Sequence, residues 1–326
     1  MALKLAVYGL GAIGGVLAAR LATAGHEVTG ICRGATLAAV RGQGLRVTDG
    51  TGTRRIDLAT TDDPASAGPQ DMVFACVKAN ALPDVVDGLR VLCGAGTVLV
   101  PMVNGVPFWF FDGFGGSLQG CALDSVDPGG ALAAAFPAAG VAGAVVHVSA
   151  SVPEPGHIHH HAGERLIVGP PVPEAAAGAA RVAELLAGAG FTVEHEPAIR
   201  EAVWAKLAGN LNFNPISALT GATVDRIARD AETKALCVAT MREVLQVSGE
   251  LGLSLRLDPE ERMALALKLG PFRTSMLQDA DAGRRLELDP IVGAVVEIAD
   301  RLQIPVPYTR TLYGLARLLD GSLAAA

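Results

Sequence analysis

Three polar side chains recur at a spacing of four residues within residues 203–221, a segment that is otherwise mostly apolar. If this segment is a helix, Lys206, Asn210 and Asn214 lie on nearly the same face of it. A lysine ammonium can donate a proton to a reacting oxygen, and two amides can hydrogen-bond oxygen atoms without adding charge. The spacing therefore predicts a substrate-binding stripe with Lys206 as proton donor. The alternative for Lys206 is a side chain that runs along the helix surface into solvent.

A glycine pattern joins a predicted first strand, residues 3–8, to a predicted helix, residues 13–24. A second apolar strand follows at residues 26–32, so the pattern lies in a βαβ unit, the context of a dinucleotide-binding loop. The glycines allow a tight turn, a close approach of pyrophosphate and close helix packing, and the helix N-terminus favours phosphate. The alternative is a glycine-rich turn without a ligand. The predicted cofactor-binding residues of this loop are Gly9, Leu10, Gly11, Ala12, Ile13 and Gly14.

The end of the second strand distinguishes between the two nicotinamide cofactors. An acidic residue there binds the ribose 2′-hydroxyl of NAD, but this strand ends in Cys32 and Arg33. A guanidinium group pairs well with phosphate oxygens, which favours the 2′-phosphate of NADPH. We therefore predict NADPH as the cofactor, against the alternative that Arg33 is a solvated surface residue.

Two further apolar segments, residues 71–80 and 96–107, are predicted parallel strands that end in polar residues. The first ends with Lys78 and Asn80, and the second with Asn104 and Gly105. The carboxyl ends of parallel strands line the ligand crevice of an open α/β sheet, so Lys78 and Asn104 are site candidates. The alternatives are a lysine at a strand end in water and an Asn-Gly pair that serves only its turn.

Strand signals stop near residue 197, and the rest of the chain has helical spacing. We predict an α/β domain with a parallel sheet over residues 1–197 and a mainly α-helical domain over residues 198–326. In the second domain, Asp289 is expected to cap the last long helix, with Pro290 at its first position.

Residues 140–169 are expected to form short strands separated by turns, and one of these strands is rich in histidine. On it His157, His159 and His161 would alternate on one side, with His160 opposite. A metal site would need further ligands, usually an acidic or thiol group. We predict no metal and favour a solvated strand face.

Residues 108–114 concentrate aromatic side chains in a chain that has few of them, 4% overall. Such a segment could form a lid over the crevice, or a patch buried against the other domain or a second subunit, and its sequence is compatible with each. The aromatic residues are Phe108, Trp109, Phe110, Phe111 and Phe114.

Composition excludes several classes of protein. The chain has 326 residues, half of them hydrophobic, and a net charge of −7, which argues against a nucleic-acid partner. Its five cysteines form no C-x-x-C pair, as is typical of buried thiols in a reducing compartment. No signal peptide or membrane-spanning run is evident, so we expect a cytoplasmic protein without a membrane partner.

The sequence resembles the ketopantoate reductase (2-dehydropantoate 2-reductase) family over nearly its whole length. The resemblance implies a Rossmann-type NADP-binding domain, a helical substrate domain, and NADPH-dependent reduction of a 2-oxo acid. For that family the reaction is ketopantoate to pantoate, in pantothenate biosynthesis. The features that match are G-x-G-x-x-G, Arg33, VKA at 77–79, NG at 104–105, KLAGNLNFNP at 206–215 and TSMLQDADAGRRLELD at 274–289.

The resemblance also implies roles for individual residues. The catalytic residues it implies are Lys206, as general acid, and Glu287. The substrate-binding residues are Asn104, Asn210, Asn214 and Ser275, the last through the substrate carboxylate. The cofactor contacts outside the glycine loop are Arg33, Lys78 and Asn104.

Two of these residues have a plainer interpretation, and one position departs from the family. Ser275 and Gln278 form an S-x-x-Q capping box, which is compatible with substrate binding. Glu287 could be a solvated turn residue. Phe272 stands where pantoate-forming members tend to have asparagine, which puts the identity of the substrate in question.

The leading hypothesis is therefore an NADPH-dependent 2-oxo acid reductase with ketopantoate as substrate. One alternative is a reductase of the same family that acts on a bulkier or more apolar 2-oxo acid. An alternative of another class is a non-catalytic, NADP-responsive binding protein. The sequence is compatible with a homodimer.

Overall fold

The computed structural model describes residues 2–325, and the chain divides into two compact units. The first unit consists of Met1–Val103, Pro107–Ala122 and Gly129–Ile199. The second consists of Asn104–Val106, Leu123–Pro128 and Arg200–Ala326. Asn104 thus belongs to the same unit as Lys206. The functional domains 1–197 and 198–326 stay a prediction.

The first unit is an α/β structure. Its strands are β1 (Lys4–Tyr8), β2 (Glu27–Ile31), β3 (Leu45–Asp49), β4 (Gly52–Ile56), β5 (Ala59–Thr61), β6 (Gln70–Ala75), β7 (Cys93–Pro101), β8 (Gly143–Glu154), β9 (His157–Gly169) and β10 (Thr192–His195). Its helices are α1 (Ala12–Thr23), α2 (Gly34–Gln43), α3 (Pro64–Ala67), α4 (Val86–Leu92), α5 (Ala131–Ala135) and α6 (Ala176–Gly188).

One sheet of this unit is parallel and has the order β5-β2-β1-β6-β7. Its central strand β1 carries the fully buried run Leu5, Ala6 and Val7, because both faces of a parallel sheet are covered. The strand order reverses between β1 and β6, and ligands of such sheets bind outside the carboxyl ends of the strands at this point. The predicted Rossmann-type sheet is confirmed.

The second sheet has the order β10-β9-β3-β4, with β8 paired to β9. The prediction of several short strands over residues 140–169 is wrong, because β8 and β9 form one long antiparallel pair whose register shifts at bulges. The pattern did not indicate β3 and β4. These strands form an antiparallel hairpin in which Gly52 to Arg55 are exposed, so the strand β4 lacks an apolar face.

Most of the aromatic segment 108–114 lies in the interior, although Phe114 is half-buried. Phe108, Trp109, Phe110 and Phe111 are all buried, and the Phe110 and Phe111 rings meet edge to face with centroids 5.1 Å apart. Within the first unit, a Cβ added to Gly143 would lie 2.8 Å from the Trp109 ring. Side chains packed in this way are neither an exposed lid nor a free patch for a second subunit.

The second unit consists of helices, as predicted. They are α7 (Ile199–Thr220), α8 (Val224–Arg229), α9 (Ala231–Glu250), α10 (Pro259–Lys268), α11 (Ser275–Asp281), α12 (Ala294–Arg301) and α13 (Pro307–Ala325), with a π-helical turn at Asp289–Gly293.

A hydrophobic cluster joins the helices of this unit. In it Phe213 and Ile216 of α7 are buried together with Met263 and Ala266 of α10. The helix α7 continues through Pro215, so the segment that carries the polar stripe is one helix of 22 residues. The predicted stripe of Lys206, Asn210 and Asn214 therefore does run along a single helix.

The prediction that Asp289 caps the last long helix is wrong. Asp289 opens the π-helical turn, which leads into α12, and the last long helix is α13. The Asp289 carboxylate instead accepts a 2.6 Å hydrogen bond from the Tyr313 hydroxyl. Tyr313 is 24 residues away in the sequence, and its hydrogen bond engages the carboxylate that would otherwise cap a helix.

In the described part of the chain, residues 2–325, we find no helix with the length and apolar character that crossing a membrane requires.

Candidate functional site

The glycine loop of the first unit has the geometry of a phosphate-binding turn. Gly9 has φ +98°, and a Cβ there would come within 3.0 Å of the Val77 amide nitrogen next to β6. A Cβ on Gly14 would lie 1.9 Å from the Gly9 carbonyl oxygen, so only glycine lets α1 begin this close to the turn. A Cβ on Gly11 would meet no atom within 4 Å. The space above Gly11 is open, at the N-terminus of α1, where anions are stabilised.

These differences predict opposite effects for two alanine substitutions. Gly14→Ala is expected to destabilise the protein by about 1–3 kcal/mol or more, because its Cβ overlaps backbone atoms. Gly11→Ala is expected to change stability by less than about 0.5 kcal/mol, yet to weaken NADPH binding at least about tenfold, because its methyl group fills the phosphate space. Urea unfolding and NADPH titration of both variants measure this. Wild-type NADPH affinity in Gly11→Ala would show that the loop does not hold the cofactor.

Arg33 lies at the carboxyl end of β2, one residue before α2. Its side chain is exposed, and no carboxylate of residues 2–325 forms an ion pair with it. Its charge reaches Tyr8 at the end of β1: burial raises the pKa of the Tyr8 phenol, and Arg33 partly opposes that rise. The guanidinium group therefore lies at the carboxyl ends of the parallel strands, where it can bind an anion.

Lys78 is also exposed, and it directly precedes the 3₁₀ turn Ala79–Ala81. It comes three residues after the end of β6, so the strand ends earlier than the sequence suggested. With the glycine loop and Arg33, it places a second cation at the carboxyl edge of the sheet.

In the second unit, the structure brings three predicted site residues together. The Lys206 ammonium donates a 2.7 Å hydrogen bond to Oδ1 of Asn104. Burial lowers the pKa of Lys206 to about 8, and the nearby Glu287 carboxylate opposes this shift. Glu287 is itself buried, so the alternative of a solvated turn residue is wrong. An ammonium with this pKa can both hold and release a proton near neutral pH.

Asn104 reaches Lys206 because its loop is fastened to the segment after Glu287. The Val106 amide donates a 2.9 Å hydrogen bond to the carbonyl of Pro290. Gly105 has φ +89°, and a Cβ there would lie 2.3 Å from the same carbonyl oxygen. The Asn-Gly pair thus serves a close backbone approach as well as a turn.

The two residues before Glu287 fix the position of the chain through contacts with Asp320. The Leu286 amide donates a 2.7 Å hydrogen bond to Asp320, and the Arg285 guanidinium pairs with the same carboxylate at 2.8 Å. The π-helical turn begins two residues after Glu287, and such turns often occur at functional sites. The pattern of the sequence did not indicate Asp320, because it lies 34 residues from its partner.

The amides of α7 differ in their environments. Asn214 is buried and Asn210 is half-buried. A third amide, Asn212, is fully buried and donates to the Ala208 carbonyl at 3.1 Å, so its role is structural.

Ser275 is exposed at the first position of α11. The proposed capping box is wrong, because the cap is Thr274, whose hydroxyl oxygen accepts from the Leu277 amide at 3.1 Å. The Ser275 hydroxyl is thus not used as the cap.

The histidines of β9 do share a face, since the His157 and His159 rings lie 4.8 Å apart. His157 bonds Thr48 at 2.8 Å, and His161 bonds Ser151 at 2.8 Å. Across residues 2–325 there is no group of three or more His, Cys, Asp or Glu arranged to hold a metal ion.

Comparison with known proteins identifies the family of this chain. The families described as "Ketopantoate reductase PanE/ApbA" and "Ketopantoate reductase PanE/ApbA C terminal" match residues 5–108 and 198–320. A 2-dehydropantoate 2-reductase of Mesorhizobium japonicum is 38% identical over 97% of this chain and 98% of its own length.

Solved structures agree with this. A candidate ketopantoate reductase from Ralstonia solanacearum superposes with a TM-score of 0.94 at 42% identity, covering 99% of both chains. A ketopantoate reductase from Ralstonia eutropha gives a TM-score of 0.83 at 28% identity, over 98% of this chain and 99% of that one. The chain therefore belongs to the ketopantoate reductase family, a family of oxidoreductases.

Proposed function

We propose that this protein reduces a 2-oxo acid to the 2-hydroxy acid with NADPH, and that ketopantoate, reduced to pantoate in pantothenate biosynthesis, is its substrate. The observation that carries the proposal is the Lys206 ammonium, which is held by Asn104, lies near the buried Glu287 and has a pKa lowered to about 8. The family membership supports the same reaction class. We propose that the reaction takes place in the cytoplasm.

Lys206 supplies the proton of the reaction. NADPH, when bound, supplies a hydride to the carbonyl carbon, and the carbonyl oxygen then takes up negative charge. The Lys206 ammonium stabilises this oxygen and transfers its proton to it, which gives the hydroxyl group. The hydrogen bond to Asn104 orients the Lys206 ammonium. The Glu287 carboxylate favours the charged form of Lys206 before the proton is transferred.

The cofactor is proposed to bind the first functional domain, residues 1–197. The open space at Gly11 suits the pyrophosphate, and Arg33 suits the 2′-phosphate of NADPH, because it lacks a carboxylate partner in the described chain. Lys78 adds a cation at the same edge of the sheet.

The substrate is proposed to bind the second domain, residues 198–326, with Asn104. Asn210 and Asn214 continue the face of α7 that carries Lys206, so their amides can bond substrate oxygens. The exposed hydroxyl of Ser275 is proposed to bond the substrate carboxylate.

A bulkier or more apolar 2-oxo acid is the second candidate substrate. Phe272 is 41% exposed, and Leu269, three residues earlier, is 65% exposed. Exposed apolar side chains of this size suit an apolar substituent and cannot hydrogen-bond the 4-hydroxyl of ketopantoate. A binding protein without turnover is disfavoured, since binding alone needs no half-buried lysine beside a buried carboxylate such as Glu287.

A substrate panel tests the proposal. The oxidation of NADPH is followed with ketopantoate, 2-oxoisovalerate and a phenyl-substituted 2-oxo acid. We expect turnover with at least one, and a preference for ketopantoate below about a thousandfold in kcat/KM, roughly 4 kcal/mol of discrimination. A larger preference would remove the second candidate, and absence of turnover with all three would contradict the proposed function.

A further inference from the structure

Arg262 of α10 contacts the helix that carries Lys206. A Cβ added to Gly209 of α7 would lie only 2.7 Å from a terminal nitrogen of the Arg262 guanidinium. The guanidinium therefore lies against the α7 backbone at a position that has no side chain of its own. Gly209 is three residues from Lys206, about 4.5 Å along the helix axis.

This guanidinium has no counter-ion in the described chain. Arg262 is half-buried, and among residues 2–325 its side chain forms no ion pair or hydrogen bond. Of the three acidic residues just before it, Asp258 caps α10 through the Glu260 amide, and the Glu260 carboxylate pairs with Lys234 at 2.9 Å. The third, Glu261, is exposed and forms no ion pair with Arg262 within residues 2–325. Burial lowers the pKa of Arg262, although the group stays charged at any physiological pH.

A partly desolvated cation is energetically unfavourable unless an anion pairs with it. Arginine is suited to this task, because its planar group can hold both oxygens of a carboxylate. Every 2-oxo acid has one carboxylate next to the carbonyl that Lys206 would protonate. The remaining anion of the proposed reaction, the cofactor phosphate, is proposed to bind the other domain.

We propose that Arg262 binds the carboxylate of the 2-oxo acid substrate and so determines the specificity of the site for acids over neutral carbonyl compounds. The inference rests on the proposed function. Arg262 neutralises the charge of the carboxylate, a contribution that the neutral hydroxyl of Ser275 does not make. Gly209 is the residue that leaves room for this guanidinium.

Two probes and two variants test the site. The probes are oxamate, a non-reactive analogue of a 2-oxo acid, and oxamide, in which an amide replaces the carboxylate. Their dissociation constants are measured by calorimetry on the protein saturated with NADPH. Arg262→Gln is expected to weaken oxamate binding by roughly 10–100-fold and to leave oxamide binding unchanged. In turnover, the same variant should raise KM far more than it lowers kcat.

Gly209→Ala provides a variant that keeps Arg262. Its methyl group displaces the guanidinium, whereas alanine favours a helix interior over glycine by about 1 kcal/mol. We expect weaker oxamate binding together with unchanged or higher thermal stability. Arg256→Gln, an exposed arginine before α10, is the matched control and should bind oxamate as the wild type does.

Wild-type oxamate affinity in Arg262→Gln, an equal loss of both probes, or absence of oxamate binding to the parent protein would overturn the proposal. Failure of the proposed function gives a different result. If oxamate binding requires Arg262 but no 2-oxo acid is reduced, the carboxylate site stands without the reaction. If Arg262→Gln turns over with an unchanged KM, the reaction stands and the carboxylate site is wrong.

Discussion

Lys206→Ala is expected to lower kcat by roughly 10²–10⁴-fold, the usual contribution of a well-placed general acid. The binding of NADPH should stay nearly unchanged, because Lys206 belongs to the second unit and the glycine loop to the first. Steady-state kinetics with the best substrate of the panel, together with NADPH titration, measure both quantities. A loss confined to KM would instead identify Lys206 as a binding residue.

Two further lysine variants separate proton donation from charge. Lys206→Arg keeps a cation near Glu287 but cannot release a proton near neutral pH, so its kcat should also be low. Lys234→Ala is the control, because this lysine of α9 pairs with Glu260 on the surface. It should have the kcat of the parent protein. Substantial activity in Lys206→Arg would show that positive charge alone is required.

Arg33→Ala is expected to weaken NADPH binding by roughly 10–100-fold and to leave NADH binding nearly unchanged. Charge-assisted hydrogen bonds contribute about 1.5–3 kcal/mol, and only NADPH has the 2′-phosphate that would accept them. Affinities of both cofactors for both proteins give the result. Equal affinity of the parent protein for NADPH and NADH would refute the assignment of Arg33.

The matched control for this experiment is Arg90→Ala. Arg90 is an exposed arginine of α4 in the same unit, and its nearest acidic partner is Asp87 at 3.6 Å. Its removal changes the net charge as Arg33→Ala does, but it should leave the affinity for both cofactors unchanged. A similar loss in both variants would indicate a general effect of charge.

Local patterns predict the parts of this fold that depend on nearby residues. The glycine loop and the apolar run of β1 follow from a βαβ pattern, and four-residue spacing on α7 follows from helix geometry. The hairpin of β3 and β4 was missed because β4 is exposed and lacks alternation of apolar and polar residues.

The wrong predictions have tertiary causes. Asp289 is a plausible cap by sequence, but Tyr313 bonds its carboxylate instead. Thr274 and Ser275 are adjacent capping residues, and pattern alone does not separate neighbouring positions. The burial of residues 108–111 depends on packing partners that are distant in sequence, such as Gly143 against Trp109.

In the candidate site too, some residues follow from sequence motifs, and others are recognised only from the structure. Lys206, Asn104 and Glu287 follow from motifs, but their meeting depends on the loop at Gly105 and its contact with Pro290. Arg262 has no motif around it. Its significance arises only from its position at Gly209, which sequence spacing does not show.

The pH dependence of kcat/KM tests whether Lys206 is the proton donor, since it reports the protonation of groups in the protein before substrate binds. Lys206 has to be protonated to act, and its pKa is lowered to about 8, so activity is lost as the pH rises through that value. We expect a plateau at low pH and a tenfold decrease per pH unit above about pH 8, with no such decrease in the residual activity of Lys206→Ala. A profile that stays flat to about pH 10, the range of an ordinary lysine, or a decrease near pH 8 that persists in Lys206→Ala, would contradict the assignment of Lys206 as the proton donor.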